Sequence, residues 1–315
     1  MKKKPLIILT GPTAVGKTET SLQLAKSIGG EIISADSMQV YRKMNIGTAK
    51  IKPQEMQGIP HYMIDEFEPD EEFNVTIFQK RAKKYMADIY ERGKIPMLVG
   101  GTGFYIQSVL YDISFTENQE QDGFREEMEQ FAKKHGIEKL HERLRKEDPE
   151  SADQIHPNNV KRVIRALEYY HFTGQKFSVH NEKERQKESP YQFLYLVLEL
   201  PRQKLYDRIN HRVDQMVQEG LVEEVQRLIE EGYSTDLVSM QGLGYKELVP
   251  YLEQNYSLEE AVYRIKRDTR HFAKRQQTWF RRERDVTMLN KDLFNTTEEL
   301  VAYIIRLAKE RGMIP

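Results

Sequence analysis

An eight-residue segment near the amino terminus, GPTAVGKT at positions 11–18, matches the spacing G-x-x-x-x-G-K-[ST] of a phosphate-binding loop. In such a loop glycines let the backbone wrap with its N–H groups inward, and the following helix adds partial positive charge. Lys17 adds a full charge, and the hydroxyl of Thr18 is a ligand for Mg²⁺. The pattern predicts a diphosphate site but does not distinguish ATP, GTP or another ligand. The expected contacts are Gly11, Thr13, Ala14, Val15, Gly16, Lys17 and Thr18.

Two further segments place polar groups directly after short apolar runs. Asp36 follows Ile32–Ile33, and a glycine-rich turn that contains Thr102 follows the run at 97–99. Ligands of open α/β sheets bind outside the carboxyl ends of strands, so both groups lie where a ligand is expected. A lone aspartate there is more often a magnesium ligand or a helix cap. A magnesium-dependent NTPase often has an acid where this chain has Thr102.

A third segment, residues 264–284, combines helical periodicity with a surplus of positive charge. It contains nine Lys or Arg residues and two acids. Apolar and aromatic side chains recur every three or four residues on one face, and Arg267, Arg270, Lys274 and Arg281 line another. A charge run is usually a solvated face, but this imbalance favours contact with the phosphate backbone of a nucleic acid.

Apolar runs that alternate with helical patterns predict the elements that position these groups. Strand-like runs and helical patterns in alternation predict right-handed βαβ units. We therefore expect an α/β fold, a P-loop NTPase-like parallel sheet flanked by helices. The predicted strands lie at 6–9, 32–33, 97–99, 193–198 and 286–289, and the predicted helices at 18–28, 75–92, 205–231, 258–284 and 300–309.

Residues 116–190 differ in composition and periodicity from the rest of the chain. Gln, Glu, Lys and Arg dominate, helical periods occur at 124–135 and 158–172, and no strand-like run is found. This predicts an all-helical insertion domain, with the catalytic core formed by 1–115 and 191–315.

The composition excludes several classes of protein. The chain has 315 residues, of which 39% are hydrophobic and 31% charged, so it is long enough and apolar enough to fold. It has no cysteine, which excludes disulfides, thiolate zinc sites and cysteine nucleophiles and favours a cytoplasmic protein. No stretch approaches the about 20 apolar residues of a membrane helix, so no membrane partner is expected.

Taken together, these segments resemble the tRNA dimethylallyltransferase family, whose members prenylate an adenosine beside the anticodon. The resemblance covers nearly the whole chain, and several long motifs in the right order are far more specific than a P-loop alone. It rests on GPTAVGKT (11–18), ISADSMQVYRKMNIGTAK (33–50), HYMID (61–65), PMLVGGTGFYI (96–106), IHPN (155–158), GYKE (244–247) and TRHFAKRQQTWFR (269–281).

The resemblance implies a reaction for this loop. The loop would bind dimethylallyl diphosphate with Mg²⁺ on Thr18, and diphosphate would leave as the exocyclic amine of the adenosine 3′ of the anticodon attacks the allylic carbon. Asp36 would be the general base, and Thr102 would donate to the bridging oxygen or hold the amine. Arg208 and Arg212, four apart on one helical face, would clamp the diphosphate; the alternative is a solvent-facing pair beside two aspartates.

The resemblance also implies a tRNA anticodon stem-loop as partner, with the target base extruded from its loop. No obligate protein partner is evident, and we expect a monomer. The alternatives are a P-loop kinase of a small molecule or nucleoside and an NTP-gated RNA-binding protein, and whether ATP also enters the loop is left open. The expected tRNA contacts are Asp36, Ser37, Met38, Gln39, Lys161, Arg162, Arg165, Gln241, Gly242, Gly244, Tyr245, Lys246, Arg270, Lys274 and Arg281.

Overall fold

The computed structural model describes residues 3–115 and 123–314, and in this part of the chain six parallel strands form one sheet in the order β3-β2-β4-β1-β5-β6. The predicted parallel α/β fold is confirmed. The strands are β1 (Lys4–Thr10), β2 (Gly30–Ala35), β3 (His61–Tyr62), β4 (Ile95–Gly100), β5 (Tyr191–Glu199) and β6 (Val286–Asn290).

The described helices follow the chain order between and after these strands. They are α1 (Lys17–Ile28), α2 (Val75–Glu91), α3 (Gly103–Leu110), α4 (Phe124–His135), α5 (Ile137–Glu147), α6 (Pro149–Gln154), α7 (Val160–Thr173), α8 (Phe177–Gln186), α9 (Arg202–Gln218), α10 (Leu221–Glu230), α11 (Val249–Leu252), α12 (Leu258–Phe280) and α13 (Thr297–Glu310).

The centre of the sheet is strand β1, which pairs with β4 on one side and β5 on the other. Residues Leu6–Leu9 have no exposed surface, as expected of a strand covered on both faces. Since all strands are parallel, the loops after β1, β2 and β4 lie at the same edge of the sheet. This edge holds the predicted phosphate loop, Asp36 and Thr102.

The chain divides into two compact units, Met1–Leu110 with Pro190–Pro315, and Tyr111–Ser189. The second unit is helical in its described residues and has an apolar core of its own, to which Met128, Leu140 and Val163 belong. The predicted insertion starts at residue 116, which lies outside the described residues. Within 3–115 and 123–314 no helix is both long and apolar enough to cross a membrane.

Two helices and one strand are among the elements in which the structure differs from the sequence prediction. The helix predicted over 205–231 is two helices, because Gly220 has φ 100° between α9 and α10. The helix predicted to run to 284 ends at Phe280. Strand β3 was not predicted; it has two residues, too few to show an alternating pattern.

Candidate active site

The loop at 11–18 joins β1 to α1 and wraps as its sequence predicts. Gly11 and Gly16 have φ 144° and 99°, and Ala14 between them also has a positive φ of 62°. A Cβ on Gly11 would lie 2.5 Å from the carbonyl oxygen of Leu198 on β5, so only glycine fits there. Helix α1 begins without a side-chain cap, which leaves its first N–H groups free for an anion.

The ammonium group of Lys17 lies over this loop. Its Nζ donates to the carbonyl oxygens of Gly11 at 3.0 Å and Pro12 at 2.9 Å. Burial and the nearby charge of Arg212 lower the pKa of Lys17 to about 8, although Asp36 acts in the opposite direction. A cation in such surroundings is stabilised by an added anion.

Both predicted clamp arginines lie beside the loop. The Nε of Arg208 donates to the carbonyl oxygen of Ala14 at 2.8 Å, which holds its guanidinium against the loop. Burial, and then the charge of Arg208, lower the pKa of Arg212. Arg208 as a whole is exposed and Arg212 is half-buried, and the bond from Nε of Arg208 to Ala14 is the contact that distinguishes this pair from one that only faces solvent. Three cationic groups therefore surround the loop that wraps around the expected diphosphate.

Asp36 and Thr102 are brought together by the pairing of β2 with β4. The backbone N–H of Thr102 donates to the carbonyl oxygen of Ala35 at 3.1 Å, which links the two turns directly. The Oδ1 of Asp36 accepts from the N–H of Met38 at 2.8 Å and of Gln39 at 3.3 Å. Asp36 thus caps its own turn with one oxygen, while its second oxygen makes no bond within the described residues.

A glutamine on α12 connects the phosphate loop to the Thr102 turn. Gln276 is 6% exposed; its Oε1 accepts from the N–H of Thr13 at 2.9 Å, and its Nε2 donates to the carbonyl oxygen of Gly101 at 3.0 Å. The sequence predicts Gln276 on the apolar face of the helix and indicates no role for it. A lone amide among apolar positions was the available signal, since a buried amide needs partners.

The residues after Asp36 form a half-buried turn at the same edge of the sheet. The side chain of Gln39 accepts from Ser34 and donates to the carbonyl oxygen of Thr48, so it is held by protein. A Cβ on Gly242 would lie 2.5 Å from Cε of Met38, so two of the segments predicted to contact tRNA meet here.

The predicted contacts at 241–246 differ in exposure. Gln241 and Lys246 have exposed side chains, whereas Gly244 and Tyr245 are buried. The hydroxyl of Tyr245 donates to Glu224 at 2.6 Å, and the same carboxylate accepts from the backbone of residues 45–47. The side chain of Tyr245 therefore supports this loop from within, and Gln241 and Lys246 are the groups that reach the surface.

Some of the basic side chains along α12 and at its end contact other residues of the protein. Arg270 donates to Oδ1 of Asn210 at 2.6 Å, and Arg281 lies 3.3 Å from a carboxylate oxygen of Glu199. Lys274 is exposed and makes no ion pair within the described residues. A cavity of about 400 Å³ opens beside this face and contains no residue of the 11–18 loop. It is lined by Glu199, Leu200, Pro201, Arg202, Tyr206, Lys274, Gln277, Thr278, Arg281 and Asn290.

The predicted contacts of the helical unit lie on α7. Lys161 and Arg162 are exposed, and Arg165 lies 3.9 Å from Glu168, which also accepts two bonds from Arg125. Two of the three predicted cations therefore face solvent directly.

The residues near the loop fit a metal ion that is held mainly by the phosphates of the substrate. No group of three acidic or histidine side chains suited to a metal occurs within residues 3–115 and 123–314. Thr18 offers one exposed hydroxyl at the start of α1. Mg²⁺ commonly keeps several waters and binds through substrate phosphates and few protein oxygens, which this donor set allows.

Comparison with known proteins gives one family. The family model described as IPP transferase matches residues 39–283. A tRNA dimethylallyltransferase of Lachnoclostridium phytofermentans is 58% identical over 311 residues, which cover 99% of both chains. One from Bacillus anthracis is 50% identical over 304 residues, which cover 96% of both.

Solved structures agree with this result. A tRNA isopentenylpyrophosphate transferase of Staphylococcus epidermidis has a TM-score of 0.73 at 46% identity, over 98% of this chain and 100% of that one. A eukaryotic dimethylallyltransferase, crystallised to follow its action on tRNA, has a TM-score of 0.84 at 31% identity, over 98% of this chain and 79% of that one.

Proposed function

Since the chain belongs to the IPP transferase family, we propose that it transfers the dimethylallyl group from dimethylallyl diphosphate to the exocyclic amine of the adenosine 3′ of the anticodon in tRNA. The observation that carries this proposal is the arrangement at the sheet edge. Lys17, Arg208 and Arg212 surround an uncapped helix start, and Asp36 adjoins it. A departing anion and an amine that loses a proton need this combination.

The cations act on the leaving group. As the allylic carbon–oxygen bond breaks, negative charge grows on the diphosphate, and the loop N–H groups stabilise that charge together with Lys17, Arg208 and Arg212. These groups are held by the fold before the reaction, so little reorganisation is needed. A Mg²⁺ ion held by the diphosphate and Thr18 would add further positive charge to the leaving group.

Asp36 acts on the nucleophile. The amine nitrogen forms the new bond to carbon and must shed one proton, which Asp36 accepts on the oxygen that is not engaged in its turn. Thr102, fixed to the backbone before Asp36, donates to the bridging oxygen of the diphosphate or holds the amine. The products are prenylated tRNA, diphosphate and one proton.

The exposed cations hold the tRNA. We assign backbone contacts to Lys161, Arg162, Lys246 and Lys274, whose side chains face solvent. Ser37 and Met38 directly follow Asp36 in the chain, and we assign to them the contacts with the extruded adenine.

The experiment is label transfer with a matched control. The protein is incubated with labelled dimethylallyl diphosphate, Mg²⁺ and unmodified tRNA, and label in RNA is counted; labelled ATP replaces the prenyl donor in a parallel reaction. Lys17→Met should reduce transfer by about 10²-fold or more, because it removes a charge that stabilises the leaving group. Lys26→Met, an exposed lysine on the same helix, should not change it. Phosphate transfer from ATP without prenyl transfer would instead support the kinase alternative.

A further inference from the structure

A lysine from the far end of the chain reaches the phosphate loop. Lys291 begins the short turn Lys291–Leu293 that follows β6, and its side chain is 14% exposed. A Cβ on Gly16 would lie 2.7 Å from Nζ of Lys291 and 3.7 Å from Nη2 of Arg208. Two cationic groups from distant parts of the sequence therefore converge on one glycine of the loop.

This pair has little compensating negative charge among the described residues. The carboxylate nearest to Lys291 is Glu19, at 3.8 Å, which is too long for a hydrogen bond. Glu19 is 59% exposed, and its other oxygen accepts from the hydroxyl of Thr297 at 2.9 Å. Burial lowers the pKa of Lys291; Glu19 raises it, and the charge of Arg208 lowers it again. Two like charges held close together beside free N–H groups form a site for an anion.

We propose that Lys291 is a diphosphate-binding residue, which contacts together with Arg208 the phosphate group that lies over Gly16. The inference rests on the proposed function, because it takes the diphosphate of the prenyl donor as the ligand. Nothing in the loop motif or in the family segments of the sequence includes Lys291. It adds a fourth cation to the set formed by Lys17, Arg208 and Arg212.

The proposal has a kinetic consequence. The phosphate over Gly16 is present in the donor and in the released diphosphate, so Lys291 stabilises both states. Because negative charge also grows on the diphosphate as the carbon–oxygen bond breaks, Lys291 stabilises the transition state as well, so its loss should both raise KM and lower the single-turnover rate. Its loss should also weaken product inhibition by diphosphate.

A structural role makes a different prediction. If Lys291 only pairs with Glu19 to fix the turn against α1, its replacement lowers thermal stability and leaves diphosphate affinity unchanged. Glu19→Gln then also lowers stability. If Lys291 binds diphosphate, Glu19→Gln removes a competing negative charge and should tighten diphosphate binding about two- to threefold.

The test uses the full chain and inorganic pyrophosphate with Mg²⁺, measured by isothermal titration calorimetry. Lys291→Met should weaken binding about tenfold, the effect of one lost charge-assisted hydrogen bond, and Lys291→Arg should restore most of it. The matched control is Lys204→Met. Lys204 is exposed and lies 2.6 Å from a carboxylate oxygen of Asp292, the residue that follows Lys291 in the chain. Its replacement should change the affinity for pyrophosphate less than about twofold.

Two results separate the possible failures. In the first, the wild-type protein transfers prenyl groups, but Lys291→Met and Lys204→Met bind pyrophosphate equally well. This result overturns the role of Lys291 and leaves the proposed function standing. Wild-type protein that neither binds pyrophosphate nor transfers prenyl groups overturns both. A raised KM for dimethylallyl diphosphate and a lower single-turnover rate in Lys291→Met, together with tighter binding in Glu19→Gln, support the role of Lys291.

Discussion

The sharpest test of the proposed mechanism is the replacement of Asp36 by asparagine. The Oδ1 of Asp36 accepts two backbone bonds that form its turn, from Met38 at 2.8 Å and from Gln39 at 3.3 Å. The amide oxygen of asparagine can accept the same bonds, but its NH₂ group cannot take a proton from the substrate amine. Asp36→Asn therefore removes the base and keeps the turn.

The size of the effect follows from the role. A general base contributes about 10²- to 10⁴-fold to turnover, or about 2.7–5.5 kcal/mol of transition-state stabilisation. Asp36→Ala should reduce the turnover by the same factor. It also removes the hydrogen bonds of the turn, which should lower the unfolding free energy by about 1 kcal/mol. Pyrophosphate affinity should be nearly unchanged in Asp36→Asn, because Asp36 does not contact the diphosphate in the proposed mechanism.

The assay is single-turnover transfer of label from dimethylallyl diphosphate to tRNA, with urea unfolding of each variant in parallel. Asp153→Asn serves as the control, since Asp153 is an exposed partner of Arg145 in the helical unit. A rate for Asp36→Asn within about threefold of wild type would refute the base assignment, because it lies well below the range for a general base. Asp36 would then be a turn-forming residue only.

Three further results are expected. Burial is the main reason that the pKa of Lys17 falls to about 8 in the free protein, so pyrophosphate binding should weaken as pH rises above 8 and take up protons near pH 8, measured by calorimetry in buffers of different ionisation enthalpy; a pH-independent affinity would contradict this. Burial raises the pKa of Glu283 to about 7, while hydrogen bonds such as that from Gln107 oppose the shift. Ionisation of Glu283 therefore lowers the unfolding free energy progressively between pH 4.5 and 7. Glu283→Gln should raise the unfolding free energy at pH 8, by about 3 kcal/mol at most, and should not raise it at pH 4, as urea unfolding at the two pH values would show. Replacing Lys161 and Arg162 by alanine should weaken tRNA binding and flatten its salt dependence by about one unit of slope per lost phosphate contact, and equal slopes for mutant and parent would show that both side chains only face solvent.

The predicted parts of the fold are those with local signals. Each predicted strand with three or more apolar residues was found, and so was the helix at 75–92 within one residue. The break at Gly220 was missed because an isolated glycine in a helical pattern is often tolerated. Only the backbone conformation of φ 100° shows that the chain turns there.

The candidate site divides in the same way. The loop at 11–18 is a contiguous motif, and Asp36 and Thr102 could be placed beside it because both follow parallel strands. Gln276 and Lys291 could not, because their roles depend on contacts across most of the chain. Gln276 lies 263 residues from Thr13, and no spacing rule connects them.

The strand order has a consequence for how the protein is made. The central strand β1 pairs along residues 4–10 with residues 191–197, which leave the ribosome much later. Until then β1 has an open edge of apolar residues, which invites pairing with other chains. The core residues of the helical unit all lie between 124 and 177. This unit can therefore fold before residues 191–197 are available to pair with the open edge of β1. The loop at 11–18 is synthesised well before its contacts Leu198, Arg208, Gln276 and Lys291, so a chain truncated before residue 198 carries the motif without the site.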